Sequence, residues 1–171
     1  MLRTEYYSLL RPHPLWSASA GNPFETSKSI VVASIMSGRY KSDYMCRHWT
    51  PGNKCGQCLY PTCRDANPPI LGTLEHLLVY CPFHETIRQR LFVMFMDKAA
   101  PIPELYKFIR DIISNPPKVF QFLMEPLAFP LIRKMLSSQD VQAMVYYMTR
   151  TFAFCIHRER MISLGKWPIF K

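Results

Sequence analysis

The chain is short of several things that would point to common functions. No stretch reaches the roughly 18 consecutive apolar residues needed to span a bilayer. The opening Met1-Leu2-Arg3-Thr4-Glu5-Tyr6-Tyr7 has no apolar core of the kind a secretory signal needs, so secretion is not expected. Glycine is scarce, at six of 171 residues, and no glycine-rich phosphate loop occurs. Acidic residues are few, at twelve, and no pair of carboxylates stands at a spacing suited to acid–base work. A non-catalytic chain is the expectation.

Three things are abundant. Twenty-one Lys and Arg give a formal charge of +9, which favours acidic partners, nucleic acid first. Apolar residues make up 49%, enough for a sizeable core. Fifteen prolines cut the chain into short elements. An intracellular location, cytoplasm or nucleus, is expected, and there six cysteines read as thiols or metal ligands and not as a disulfide framework.

Residues 1–24 read as an extended or disordered lead-in, with Pro12, Pro14, Gly21 and Pro23 among polar residues and single aromatics. Residues 25–84 read as a short helix and a metal module. The helix would take Thr26 or Ser27 as its cap, run through Ile30–Met36 and stop at Ser37-Gly38. Residues 85–171 read as a helical region of short pieces: 85–98, 104–113, 118–124 and 131–136. A longer last helix starts at the capping pattern Ser137-Ser138-Gln139-Asp140 and stops at Gly165. The fold expected is mainly α, a small Cys3His knuckle followed by a bundle of short helices and one longer C-terminal helix.

The stretch from Arg39 to Pro69 is different. It holds four cysteines, two glycines and four prolines, with no clean periodicity. Such a segment buries too little apolar surface to order itself, and a metal is the economical solution. Cys58-x4-Cys63, a twelve-residue spacer and His76-x4-Cys81 supply four ligands of the type zinc takes in a tetrahedral structural site. His76 and Cys81 stand at opposite ends of a helical segment restarting at Gly72-Thr73. Five residues are about 1.4 turns, so Cys81 must lie at or past the helix end to converge. Cys55 could replace Cys63, and Cys46 with His48 could build a second site; ligand counting makes Cys46 and Cys55 bystanders. Cys155, among Phe152, Phe154 and Ile156, reads as core, and His84 as a solvated helix-start residue. The plain alternative is a set of buried thiols with His76 on a helix surface.

Cations and aromatics interleave around this module. Arg39, Lys41, Arg47, Lys54 and Arg64 stand with Tyr40, Tyr44, Trp49 and Tyr60, which suits phosphates and unpaired bases. On the last helix Tyr146, Arg150, His157 and Arg160 fall near one face, with Arg158 beside them, and would form a second basic strip. Val141, Val145, Met148, Phe152 and Cys155 would face the core. The apolar and Met-rich stretch from Leu91 to Phe129 also suits a docking face for a protein partner.

Several stretches together resemble one family. Met36-Ser37-Gly38-Arg39-Tyr40 leads into Tyr44-Met45-Cys46-Arg47-His48-Trp49 and Cys58-Leu59-Tyr60-Pro61-Thr62-Cys63. Gly72-Thr73-Leu74-Glu75-His76-Leu77-Leu78-Val79-Tyr80-Cys81-Pro82 follows. Near the end stand Tyr147-Met148-Thr149-Arg150-Thr151-Phe152, His157-Arg158-Glu159-Arg160 and Leu164-Gly165-Lys166-Trp167. Over about residues 14 to 168 these resemble the region beyond the polymerase domain of non-LTR, LINE-type retrotransposon reverse transcriptases. The resemblance implies a zinc knuckle on Cys58, Cys63, His76 and Cys81 that grips template RNA or target DNA. With that role, the pattern of cations and aromatics makes Arg39, Lys41, Arg47, Trp49, Lys54, Arg64, Arg150, Arg158 and Arg160 the expected nucleic-acid contacts. The polymerase Tyr-x-Asp-Asp motif and the endonuclease are absent, so neither activity is carried over. A separate fragment or relic tail of such an element is the expectation, with docking on a polymerase body as the rival role.

Overall fold

The computed structural model describes residues 21–43 and 56–165. Their order is helix α1 (Pro23–Met36), a single helical turn α2 (Pro61–Arg64), a π-helical turn (His76–Tyr80) and a 3-10 turn (Pro82–His84). Then come α3 (Glu85–Ala99), α4 (Pro103–Ile113), α5 (Pro116–Met124), a second 3-10 turn (Pro126–Ala128), α6 (Pro130–Met135) and α7 (Gln139–Ser163). The fold is mainly α, and among the described residues the only β pairing is a bridge between Gln57 and Leu71.

The prolines set the starts. Pro23, Pro61, Pro103, Pro116 and Pro130 each occupy the first helical position, where the missing N–H has no partner to lose and the ring presets φ. α1 therefore begins earlier than a Thr26 or Ser27 cap implies: Asn22 caps it, its Oδ1 accepting from the N–H groups of Phe24 and Glu25 at 3.0 and 3.2 Å. Ser138 caps α7 and Gly165, at φ 65°, turns the chain out of it, as the sequence suggests.

The main core lies between α3, α4, α5 and α7. Leu105, Ile109 and Ile112 form a buried stripe on α4, and Val141, Val145, Met148, Phe152 and Ile156 form one on α7. Rings meet at angles, with Phe152 against Phe92 and Phe95, and Phe122 against Phe95, Phe108 and Phe129. Most of the apolar stretch from Leu91 to Phe129 is thus spent inside this protein; of its large apolar residues, Val93 and Tyr106 stay exposed. Cys155 packs partly buried against the same core.

α1 lies along α7 and contributes a smaller cluster of Val31, Val32 and Ile35 against Ala153 and Phe154. Polar contacts fix this pairing. Arg150 is buried, reaching Glu25 at 3.3 Å and Ser29 Oγ at 3.2 Å. Tyr40, just past α1, meets His157 with Oη 3.2 Å from Nδ1.

Burial, with the Arg160 charge adding to it, holds the His157 pKa below its usual value near 6.5. The folded protein takes up a proton on this ring less readily than the unfolded chain does. Its contribution to stability is therefore complete above about pH 6.5 and fades as pH falls below that. Against urea, His157→Gln is expected to lose less stability than the parent between neutral pH and about pH 5. Equal losses in both proteins would contradict this assignment.

Candidate metal centre

Four side chains converge where the knuckle was expected. Cys58, Cys63 and Cys81 are fully buried, His76 is buried beside them, and their candidate ligand atoms all lie within 4.8 Å of one another. The Cys81 sulfur stands 3.9 Å from that of Cys58 and 3.8 Å from that of Cys63. A tetrahedral zinc with Zn–S bonds near 2.3 Å would set sulfurs roughly 3.8 Å apart, so the geometry fits the ion. His76 Nε2 is buried without a hydrogen-bond partner, an orphan that a metal-binding or second-sphere role would explain. Three cysteines and a histidine could supply all four tetrahedral positions of a metal ion.

Each ligand is placed by a local device. Cys63 sits in α2, which Pro61 starts, and its N–H donates to the Tyr60 carbonyl. The Cys58 N–H donates to Ile70 O and the Gly72 N–H to Gly56 O, a short ladder that clamps the loop. Ile70 N–H in turn donates to Cys63 O. For the second pair, an α-helix would leave position 81 rotated away from 76. A π-turn replaces it: the Cys81 N–H donates to His76 O at 2.7 Å, a bond spanning five residues. Widening the turn brings ligands five apart onto one side, which a 3.6-residue period does not. Pro82 then ends it.

The surroundings hold the cluster to the helices. Tyr60 is buried, stacks on Phe83 with centroids 3.9 Å apart, and places its hydroxyl 3.0 Å from Ser163 Oγ on α7. Asp43 is buried, forms an ion pair with Arg160 and accepts the Leu59 N–H at 3.3 Å. Gly72 presses on this carboxylate: a Cβ there would stand 2.5 Å from Asp43 Cβ and 3.1 Å from Cys58 Cα. Gly72→Ala is expected to destabilise by about 1–3 kcal/mol, the range for overpacking, with weakened metal retention as the second readout. Unchanged stability and retention would show that the contact yields freely.

Several expectations are corrected here. His84 is not solvated; it is fully buried, edge-on to the stacked pair Tyr60 and Phe83, with both ring nitrogens unpartnered. Burial first, then the nearby Arg88 and Arg160 charges, lowers its pKa to about 4, so the ring is neutral at physiological pH. The basic strip on α7 does not form either. Arg150 and Arg160 are turned inward by Glu25 and Asp43, and Tyr146 is buried. Arg39, Lys41, Arg64 and Arg158 are exposed, Arg64 in a surface pair with Asp65. Arg47, Trp49 and Lys54, with Cys46, His48 and Cys55, lie outside the described residues. Asp43, Ser163 and the close packing at Gly72 were not legible in the sequence; only the lone acidic Asp43 amid cations gave a signal.

Comparisons with family models, curated proteins and solved structures give no match to this chain. Fold and site together define a mainly helical protein with a buried Cys3His cluster able to hold a metal ion. No helix among the described residues is long and apolar enough to cross a membrane.

Proposed function

We propose that this chain is a zinc-stapled, non-catalytic module that binds nucleic acid. The observation that carries the reading is the closed, buried Cys3His cluster, which orders a loop region flanked by exposed cations. A donor set of this kind suits zinc in a structural role and leaves no open position for a reacting water. The Tyr40–His157 contact draws the neighbouring Arg39 and Lys41 toward the part of α7 that carries Arg158. Exposed cations of this kind neutralise phosphates and release counterions. The resemblance to the post-polymerase region of LINE-type reverse transcriptases supports the same reading, with RNA or target DNA as the ligand and this chain as a fragment of such an enzyme.

The test is a salt titration of binding to labelled single-stranded RNA and DNA, with zinc-loaded protein. Affinity should fall steeply with salt, and the triple change Arg39→Ala, Lys41→Ala, Arg158→Ala should flatten the log–log slope by about 2, at ~0.7 per contact. Binding indifferent to salt, or unaffected by the triple change, would overturn this surface.

A further inference from the structure

The last turn of α7 carries a hydroxyl that reaches the metal loop. Ser163 is the final residue of that helix and is exposed. Its Oγ lies 2.8 Å from the Arg160 carbonyl oxygen and 3.0 Å from Tyr60 Oη. A serine hydroxyl has one proton and a carbonyl only accepts. The serine proton therefore goes to Arg160 O, and Tyr60 donates to Ser163 Oγ. Tyr60 seats the first half of the cluster. It is buried with Cys58, Cys63, Leu77 and Cys81, and its carbonyl accepts from the N–H groups of Cys63 and Arg64. Holding the phenol on α7 thus holds the turn that carries Cys63.

The residues before Ser163 supply a second observation. Arg158 and Arg160 stand five and three positions ahead of it, and Leu164 follows. Cations at fixed places before a serine are a charge pattern by which protein kinases choose substrates. Arg158 is exposed. Arg160 and Ser163 lie in the last turn of α7, where helices fray and the chain opens locally.

We propose that Ser163 is a phosphorylation site, and that its phosphate unlatches Tyr60 and loosens the metal loop. The phosphoryl donor is ATP. A bond forms between Ser163 Oγ and the γ-phosphorus, the bond from that phosphorus to the leaving oxygen of ADP breaks, and the serine proton passes to the kinase's catalytic base. The product has no hydroxyl proton, so the Arg160 carbonyl loses its donor. A charge near −2 then sits at a helix C-terminus, where the helix dipole opposes it. Two responses are open, and both loosen the loop. A phosphate turned to water draws Oγ away from the buried Tyr60. A phosphate that stays recruits Arg160, three residues back, and takes it from Asp43, which holds the Leu59 N–H beside Cys58. The device needs the metal loop and is independent of nucleic acid.

The experiment treats the full zinc-loaded chain with ATP and an arginine-directed serine kinase, and mass spectrometry locates the phosphate. Zinc transfer to a chromogenic chelator and hydrogen exchange at the Cys63 and Arg64 amides are then followed. Phosphate is expected on Ser163, with zinc released about tenfold faster, the factor of one hydrogen bond at the strong end of its usual range. The two amides should exchange faster as well. Ser163→Ala should take no phosphate at that site and show no response to the kinase. Tyr60→Phe, which keeps the ring and loses the latch, should release zinc faster before any kinase is added. No phosphate on Ser163, or phosphorylated protein with parent rates of zinc release and exchange, would overturn the proposal. Exchange is read with or without zinc, so failure of the latch is distinguishable from failure of the metal centre.

Discussion

Stripping the metal with a chelator is expected to unfold the segment from residue 56 to 82 while the α3–α7 core keeps its protection. Leu78 and Val79 of its π-turn join the main core, but the loop before them has little beyond the Cys3His cluster to hold it. The segment's regular elements are a single turn of α2, a π-turn and one β bridge, and its buried cluster is built from Cys58, Tyr60, Cys63, Leu77 and Cys81. Three of those five residues belong to the Cys3His cluster. Structural zinc in small peptides supplies an apparent 10–16 kcal/mol of folding energy at neutral pH, as much as the whole stability of an ordinary domain. Hydrogen exchange should show amides such as those of Cys58, Ile70 and Cys81 opening on chelation. Protection unchanged across the segment would mean that packing alone orders it.

The same cluster sets the sign of a pH effect on the metal. Without an ion, the Cys58 thiol is pushed up by its hydrogen bond to the Cys81 sulfur and by burial, and the Cys63 thiol is pushed up by burial. The metal-free site therefore holds its protons, and uptake of a cation must displace them. Metal affinity should fall as pH falls, with proton release on binding at neutral pH.

The second large effect concerns Arg160, whose side chain is 9% exposed and whose partner Asp43 is 1% exposed. Arg160→Met leaves a carboxylate buried without its counter-charge, a change that costs about 3–5 kcal/mol. Asp43 also holds the Leu59 N–H beside the first ligand, so the loss should spread to faster metal release. The double variant Asp43→Asn with Arg160→Met removes both charges and should recover most of the stability. A single variant within about 0.5 kcal/mol of the parent, the range of ordinary surface changes, would return Arg160 to a solvent-facing role.

What the sequence made legible was local. The four ligands, the last helix with its Ser138 cap and Gly165 stop, and the run of short proline-started helices follow from spacing and turn chemistry within a few residues. What it hid was long-range. Arg150 and Arg160 sit on α7 at spacings that resemble a solvated basic face, yet Ser29 and Asp43, 121 and 117 residues away, turn them inward. Nothing near position 160 announces a buried acid at position 43. His84 was hidden for a similar reason: the stacked pair Tyr60 and Phe83 closes over it, and that pair forms only once the metal loop has folded. The π-turn lies between these cases. The five-residue ligand spacing poses the problem of convergence, and the backbone solves it by widening the turn.

The metal centre is tested most directly by the zinc content of the purified full chain, measured for the parent, for Cys63→Ser and for His76→Ala. One zinc per chain is expected in the parent, with loss of stoichiometric zinc in both variants. No zinc in the parent, or zinc retained in full by either variant, would contradict the metal centre on which the rest is built.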